Sequence, residues 1–250
     1  MPAAARDPDG VPAFDRHIRL AGTRNLRDVG GYPAAGGRRT RWRTLLRTDA
    51  LDRLPAASQA QLLELGLRQV IDLRWPHELE EAPSVFRATD AVRYRSIPLL
   101  DDDPTPDVGI VGTYRHMFDA RAPQLVEVVR ALLEPGGLPA VVGCAAGKDR
   151  TGVTIALVLA ALGVPTDVVA GDYALTAELF AADVVDEHLV DWRATPAVVD
   201  CPPEYMLQAL DHLEGRHGGA AALLRRNGLT DEELERLIEL LTEPGPAPAA

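Results

Sequence analysis

The sequence is poor in lysine, cysteine and long apolar runs, and each shortage excludes some classes of protein. Lys148 is the one lysine among 26 basic residues, and 37 acidic residues give the 250-residue chain a formal charge of −11. Such a field repels nucleic acid, so we expect no nucleic-acid partner, and any bound phosphate group would need a local site. Two cysteines, Cys144 and Cys201, are too few for a disulfide framework.

The longest apolar run and the first residues of the chain both indicate a cytoplasmic protein. The run from Val153 to Val164 is too short to cross a bilayer, so no membrane insertion is expected. The opening residues, MPAAARDPDG, contain no apolar stretch of the kind that directs secretion. We therefore predict a cytoplasmic location, where thiols stay reduced.

The composition predicts one domain between two disordered tails. Residues 1–16 and 243–250 are rich in alanine, proline and glycine, and they cannot bury enough apolar surface to offset the cost of ordering. Residues 17–242 contain no linker-like stretch and have an ordinary globular composition. The oligomeric state is left open.

Apolar patterns predict short strands that alternate with helices. Strands are expected over residues 43–47, 69–74, 93–99 and 139–142, and helices over 58–65, 111–133, 151–162, 166–180, 204–213 and from 230 onward. This alternation is typical of an α/β fold with a largely parallel central sheet flanked by helices. The last helices are expected to pack as extra C-terminal helices on that layer.

The most informative segment is the strand-loop-helix stretch Val141-Val-Gly-Cys-Ala-Ala-Gly-Lys-Asp-Arg-Thr-Gly152. Such a turn directs several backbone N–H groups and a helix N-terminus into one concavity, which suits a phosphate dianion. The same positive field favours the thiolate of Cys144, which makes this residue a candidate nucleophile. Arg150 can hold two phosphoryl oxygens with its planar guanidinium, and Thr151 can donate a hydrogen bond to the sulfur.

Two other interpretations explain parts of this loop. A nucleotide-binding loop also has Gly-Lys before a helix, but only three residues separate Gly143 from Gly147, and Asp149 replaces the hydroxyl residue that would hold magnesium. A purely structural loop would use Cys144 as a small buried apolar residue. The five residues between Cys144 and Arg150 favour a cysteine-dependent phosphatase over both.

The segment Cys144-Ala-Ala-Gly-Lys-Asp-Arg150-Thr-Gly resembles the phosphate-binding loop of cysteine-dependent protein tyrosine phosphatases, in particular the atypical bacterial group with Gly-Lys-Asp-Arg-Thr at this point. Individually weaker matches occur in the family's order: Asn25-Leu-Arg-Asp-Val-Gly-Gly31, Leu46-Arg-Thr-Asp-Ala-Leu51, Val70-Ile-Asp-Leu-Arg74, Gly171-Asp-Tyr173 and Gly-Leu-Thr-Asp231. The resemblance implies a protein-tyrosine-phosphatase-like fold. It also implies hydrolysis of phosphomonoesters through a phosphocysteine, without a metal or other cofactor. The implied substrates are phosphotyrosine proteins and, in some members, phosphoserine, phosphothreonine or phosphoinositides.

The site residues follow from the loop and from this resemblance. The nucleophile would be Cys144, and phosphate would be bound by the loop residues Ala145, Ala146, Gly147, Lys148, Asp149, Arg150 and Thr151.

The general acid stays open among several carboxyl groups. Asp149 lies in the loop, whereas Asp72 ends a predicted strand, and ligand groups collect at the carboxyl ends of parallel strands. Asp72 could equally pair with Arg74 or Arg150 and orient that arginine. Asp101 to Asp103 lie roughly where better-known phosphatases have a mobile acid loop, although a solvated turn also explains them.

Gly143 departs from the family pattern, which has histidine before the catalytic cysteine. Without that side chain we expect a less strongly stabilised thiolate, and a phosphate-binding module without catalysis is a second possible function. Lys148 beside the phosphate would suit a phosphoinositide or another small phosphomonoester, although it could simply offset the charge of Asp149.

Neither the histidines nor the second cysteine suggests another site. His77, His116, His188 and His212 show no ligand spacing, so the sequence indicates no metal. Cys201 precedes two prolines in a predicted turn, and its role is left open.

Overall fold

Five short strands form the central sheet of the computed structural model, which describes residues 16–100, 108–182 and 200–246. In spatial order they are β1 (Arg27–Asp28), β4 (Leu45–Thr48), β7 (Ala140–Gly143), β5 (Gln69–Asp72) and β6 (Arg93–Ser96). The pair β1–β4 is antiparallel, and the other three pairs are parallel. The prediction of an α/β fold with a largely parallel sheet is therefore confirmed.

Helices cover both faces of this sheet. Within the described ranges they are α1 (Ala56–Glu64), α2 (Pro76–Glu81), α3 (Gly109–Ala120), α4 (Ala122–Leu133), α5 (Asp149–Ala161), α6 (Thr166–Ala182), α7 (Pro203–His217), α8 (Ala220–Arg226) and α9 (Asp231–Leu241). Ile71 and Val142 face a large apolar cluster built with α3 to α9, whereas Val70 and Val141 face a smaller one with Leu62 of α1. None of the helices in these ranges is long and apolar enough to span a membrane.

The connectivity brings the carboxyl ends of three parallel strands together. Because β7 lies between β4 and β5, Gly143 is in register with both Thr48 and Asp72. Cys144 follows directly after this row, where the chain leaves the sheet. Ligands of open α/β sheets bind at this edge, so the fold places the predicted loop at a binding position.

The predicted helix over residues 111–133 is wrong in one respect, because two helices occupy this segment. Arg121 separates α3 from α4 with φ −113° and ψ 16°, and Pro123 lies in the first turn of α4. Proline lacks an N–H and collides with a preceding helical turn, but the first turn of a helix tolerates it. The apolar spacing continues across the break, so periodicity alone predicted a single helix.

Both predicted tail boundaries are also displaced. A second, antiparallel sheet contains β2 (Pro33–Ala34), β3 (Arg38–Thr40) and β8 (Thr242–Pro244), which extends into the predicted tail at 243–250. Backbone pairing with β3 and an ion pair of 2.9 Å between Arg39 and Glu243 order this segment despite its composition. At the other end, the Arg16 guanidinium lies 3.8 Å from the centre of the Tyr32 ring, so Arg16 belongs to the domain.

Candidate active site

Cys144 begins the loop that joins β7 to α5, and Arg150 lies in the first turn of α5. Both residues are buried, with 3% and 8% of their surface exposed. Between them Gly147 has a φ of +68°, and a Cβ at this position would collide with the carbonyl group of Thr48. Only glycine fits this point of the loop.

The backbone N–H groups of the loop are available to an anion. In the described part of the chain, those of Ala145, Ala146 and Gly147 have no hydrogen-bond acceptor, and α5 begins two residues later at Asp149. Unpaired N–H groups in buried segments are rare in folded proteins. Three of them in succession beside a helix N-terminus form a concavity suited to phosphate.

Side chains beneath the loop hold its carbonyl groups. Nδ2 of Asn25 donates a hydrogen bond of 2.8 Å to the carbonyl oxygen of Ala146, and Nη2 of Arg47 donates one of 2.7 Å to that of Gly147. In a trans peptide the C=O and N–H groups point in opposite directions. Because the carbonyls of Ala146 and Gly147 point into the protein, the N–H groups of the same two peptides, those of Gly147 and Lys148, point away from the protein.

Asp172 of α6 anchors this support. Its carboxylate accepts hydrogen bonds from Arg47, from Nε of Arg27 at 3.3 Å and from the Tyr32 hydroxyl at 2.9 Å. Burial alone would raise the pKa of Asp172, but the charges of Arg27 and Arg47 lower it to about 2. The weak motifs around Asn25, Arg47 and Asp172 thus converge under the loop, a role that sequence reasoning missed.

Arg150, in the first turn of α5, pairs with Glu78 of α2. Nη1 and Nη2 donate hydrogen bonds of 2.5 Å and 2.9 Å to the two carboxylate oxygens of Glu78. The guanidinium also lies 4.6 Å from the centre of the Trp75 ring. Burial would lower the pKa of Arg150, but the hydrogen bonds to Glu78 and the nearby negative charges together raise that pKa above its usual value.

Glu78 was not among the predicted site residues. Its carboxylate also accepts a hydrogen bond of 2.7 Å from the backbone N–H of Trp75, which fixes it at the start of α2. The spacing of Trp75-Pro76 and Glu78 is typical of a helix start and could have revealed this helix. Nothing in the spacing indicates the arginine it binds, which lies 72 residues further along the chain.

Asp72 is already fully engaged. Arg74 donates to it from Nε at 3.0 Å and from Nη2 at 2.8 Å, and the Tyr94 hydroxyl donates to Oδ2 at 3.1 Å. The structure thus shows the predicted alternative in which Asp72 orients Arg74. Its other proposed partner, Arg150, binds Glu78 instead.

Asp149 has a more open environment than Asp72. Its side chain is 38% exposed, and Oδ1 accepts a hydrogen bond of 2.6 Å from the Tyr114 hydroxyl. Burial raises the pKa of Tyr114 well above its usual value, so the hydroxyl stays a donor. The Tyr114 ring is buried. The third candidate, Asp101 to Asp103, lies outside the described residues, as does His188.

Lys148 does not place its charge over the loop. The side chain is 4% exposed, and Nζ donates a hydrogen bond of 2.8 Å to the backbone carbonyl of Asp200. Nζ also lies 4.0 Å from Oδ1 of Asp149, which agrees with the alternative that Lys148 offsets the charge of Asp149, and a direct contact of Lys148 with phosphate stays a prediction. The neighbouring Cys201 is buried, which raises the pKa of its thiol to about 11 and keeps it protonated.

Two further details of the loop differ from expectation. The Thr151 hydroxyl is buried and has no hydrogen-bond partner among the described residues, so the predicted bond to the Cys144 sulfur is not formed. Gly143 has no left-handed φ, but a Cβ there would lie 2.8 Å from Cγ2 of Thr48. Crowding by a neighbouring side chain, and not backbone conformation, is what favours glycine before the cysteine.

A buried cysteine, three successive unpaired N–H groups and a buried arginine therefore meet at the edge of the parallel sheet. The profile of the tyrosine phosphatase family matches residues 18–243, and the chain belongs to this family. It is a protein tyrosine phosphatase, a hydrolase of phosphoric monoesters. The predictions of family, fold and enzyme class are confirmed.

The chain is similar to named bacterial proteins of this family. It is 26% identical over 223 residues to a tyrosine-protein phosphatase of Nostoc commune, across 80% of this chain and 74% of that protein. It is 25% identical to the triple specificity protein phosphatase PtpB of Mycobacterium tuberculosis, across 89% and 98% of the two proteins. A solved structure of P. aeruginosa TpbA in complex with pTyr matches with a TM-score of 0.43 and 16% identity, over 78% of this chain and 91% of that chain.

Proposed function

We propose that this phosphatase hydrolyses phosphotyrosine in proteins through a phosphocysteine formed on Cys144. The observation that carries the proposal is the meeting of Cys144, the unpaired N–H groups of Ala145 to Gly147, and Arg150 at one edge of the sheet. A thiolate at the base of such a cradle lies where it can attack a phosphorus atom held by the loop.

The proposed reaction has two displacements at phosphorus. In the first, the sulfur of Cys144 forms a bond to phosphorus while the bond to the tyrosyl oxygen breaks, and a carboxylic acid gives its proton to the departing oxygen. In the second, water attacks phosphorus, the bond to sulfur breaks, and inorganic phosphate leaves. The loop N–H groups and Arg150 stabilise the charge on the transferring oxygens, which is usually the largest contribution to catalysis.

Geometry favours Asp149 over Asp72 as the acid. Asp72 is held by Arg74 and Tyr94 and cannot approach a substrate without breaking a buried ion pair. Asp149 lies in the loop itself, is partly exposed and is oriented by one hydrogen bond from Tyr114. A general acid needs access to the leaving oxygen as well as a transferable proton.

The surroundings of the loop favour a phosphotyrosyl side chain over a phosphoinositide. A cleft of about 200 Å³ borders Ala145 and is lined by Arg53, His77 and Glu81, among others. A substrate with several phosphates would need a cleft with an excess of cations, but the ammonium group of Lys148 is directed at Asp200, and Arg53 shares the cleft lining with Glu78 and Glu81. The names of the relatives, a tyrosine-protein phosphatase and a triple specificity protein phosphatase, support phosphotyrosine first, with phosphoserine and phosphothreonine as further candidates. The cytoplasmic location stays a prediction from the sequence.

Substitution of Cys144 tests the nucleophile. We expect Cys144→Ser to abolish hydrolysis of an aryl phosphate while vanadate still binds, because the loop and Arg150 are unchanged. Cys201→Ala is the matched control and should retain activity. Residual activity of Cys144→Ser above about a thousandth of wild type would contradict covalent catalysis. Inhibition by EDTA that added metal reverses would contradict a metal-free mechanism.

Leaving-group dependence identifies the acid. Asp149→Asn should slow aryl phosphates with poor leaving groups by about 10²–10⁴-fold and those with good leaving groups far less. Asp72→Asn should slow both kinds equally if it only orients Arg74. The reverse pattern would assign the proton to Asp72, and equal slowing by both variants would move the search to Asp101 to Asp103.

A further inference from the structure

Three side chains with metal-binding chemistry meet between α3 and α7. Oδ1 of Asp119 lies 2.9 Å from Nε2 of His212 and 2.6 Å from Nε2 of His217. One ligand atom from each of the three residues lies within 4.8 Å of the other two. Asp119 precedes the histidines by 93 and 98 residues, so the fold alone brings the group together.

The arrangement leaves one side of the group open to solvent. The Asp119, His212 and His217 side chains are 35%, 20% and 10% exposed, so the group lies at the rim of a helix–helix contact. Over residues 16–100, 108–182 and 200–246, no other set of three histidine, cysteine or acidic side chains comes as close together. None of the three takes part in the proposed phosphatase mechanism.

The ligand set and its spacing suit a tetrahedral transition metal. Imidazole nitrogen and carboxylate oxygen bind Zn²⁺ at about 2.0–2.2 Å, so two ligand atoms of one tetrahedral ion lie roughly 3.4 Å apart. The two distances to Asp119 would have to widen by about half to three quarters of an ångström, which side-chain rotation at a partly exposed site allows. Two histidines, one carboxylate and water are a known zinc-type coordination set.

Two arginines contact this group, and their contacts have to be compatible with a bound metal ion. Nε of Arg216 lies 3.6 Å from the Asp119 oxygen, but its side chain is 66% exposed and can turn into solvent. Arg226 donates a hydrogen bond of 3.1 Å to the carbonyl of His217 and lies 3.5 Å from Nδ1 of its ring. A His217 ring that binds metal through Nε2 carries its proton on Nδ1. The 3.5 Å contact of Arg226 with Nδ1 is therefore lost when metal binds, whereas its hydrogen bond to the His217 carbonyl can remain.

We propose that Asp119, His212 and His217 bind one divalent transition-metal ion of the Zn²⁺ class and thereby cross-link α3 to α7. The ion has a structural role, since the site lies outside the groups that carry the phosphoryl chemistry. It would stabilise the helix that also carries Tyr114, the hydrogen-bond donor to Asp149. The proposal is independent of the mechanism proposed above.

The test measures metal binding directly, in a background that removes the reactive thiol. Cys144→Ser protein is titrated with ZnCl₂ in competition with a chromophoric chelator, and we expect one bound equivalent. Adding His212→Ala or His217→Ala should weaken binding at least about tenfold, because loss of even an outer partner of a metal ligand costs this much. The matched control is His116→Ala on the same helix as Asp119, which should bind as its parent does.

Two more measurements keep the test decisive if one histidine variant fails to fold. Co²⁺ bound at this site should give visible d–d bands without a sulfur-to-metal charge-transfer band. Arg216→Gln should tighten Zn²⁺ binding, since it removes a cation that competes for Asp119 and leaves all three ligand residues unchanged. Circular dichroism checks each variant's fold. No bound equivalent at micromolar Zn²⁺, or equal affinity in the histidine variants and the His116 control, would overturn the proposal. A sulfur charge-transfer band would overturn it as well, because it would place the ion at Cys201.

Discussion

Two arginine–carboxylate pairs flank the same phosphate loop and differ in their access to water. The Arg47–Asp172 pair beneath the loop is closed, with each side chain 1% exposed. The Arg150–Glu78 pair beside the loop is more open, with 9% and 17% exposed. The first pair has no route to a substrate, whereas the second borders the cleft above Ala145.

The difference shows how one type of interaction serves two purposes. A buried pair holds both charges without water, so removing either partner is strongly destabilising. Arg47 uses this fixed position to hold the carbonyl of Gly147. Arg150 is held on one side by Glu78 and on one face by Trp75, which leaves the guanidinium preorganised for phosphate. The buried pair fixes the backbone of the loop, and the open pair positions Arg150 for the proposed substrate.

Breaking the buried pair should have the largest effect. Asp172→Asn leaves Arg27 and Arg47 without a countercharge, and we expect the free energy of unfolding to fall by about 3–5 kcal/mol. Urea denaturation measures this loss, with Asp167→Asn, an exposed acid at the start of α6, as the control. A loss below about 1 kcal/mol would mean that the pair contributes little to the fold.

Breaking the open pair should lower activity more than stability. Glu78→Gln keeps the shape but loses the charge that orients Arg150, and we expect kcat/KM for an aryl phosphate to fall about 10- to 100-fold, less than a lost oxyanion donor would cost. The free energy of unfolding should change by less than about 1 kcal/mol. Glu80→Gln on the same helix is the control. A large loss of stability with unchanged kcat/KM would reverse the roles of the two pairs.

Substitution of Gly143 tests the packing at the base of the loop, which involves neither of the two ion pairs. Gly143→His alone should cost about 1–3 kcal/mol of stability, because its Cβ would lie 2.8 Å from Cγ2 of Thr48. Combining it with Thr48→Ser removes that methyl group and should recover part of the loss, which thermal melting measures. In the folded double variant, alkylation of Cys144 by iodoacetate at lower pH than in wild type would show the contribution of the missing histidine. Equal melting of the single and double variants would exclude Thr48 as the cause.

The pH dependence of stability gives the smallest effect. The pKa of Asp172 is about 2 in the folded protein and 3.8 as its ordinary value, so the folded state holds the ionised form more tightly. This contribution to stability is fully present above pH 4 and is lost as the pH falls through about 2. Between these pH values the free energy of unfolding of wild type should therefore fall more steeply than that of Asp172→Asn. Parallel curves would exclude Asp172 as the titrating group.

The parts of the site that are contiguous in the sequence were the parts that could be predicted. Cys144, Gly147 and Arg150 lie within one strand-loop-helix stretch, and local rules for strands and helix starts place them together. The parallel sheet was predictable for the same reason, because each strand and helix has its own apolar pattern. The break at Pro123 had a local signal in the proline itself, but the apolar spacing that continues across it outweighed that signal in the prediction.

Contacts between distant segments could not be predicted from spacing. Glu78 meets Arg150 across 72 residues, and Asp172 meets Arg47 across 125. Asp72 was left open between the general acid and a partner of Arg74 or Arg150, and in the structure Arg74, two residues away, occupies its carboxylate. Which partner a charged side chain takes depends on the packing of whole elements, and the sequence pattern does not show that packing.

Direct detection of the phosphoenzyme tests whether Cys144 carries the phosphoryl group during turnover. The protein is mixed with an aryl phosphate, quenched in acid within milliseconds, digested and analysed by mass spectrometry. We expect one added phosphoryl group on the peptide that contains Cys144, absent from Cys144→Ser and unchanged in Cys201→Ala. Turnover of the substrate with a phosphoryl group on another residue, or with none on Cys144 at any quench time, would contradict it.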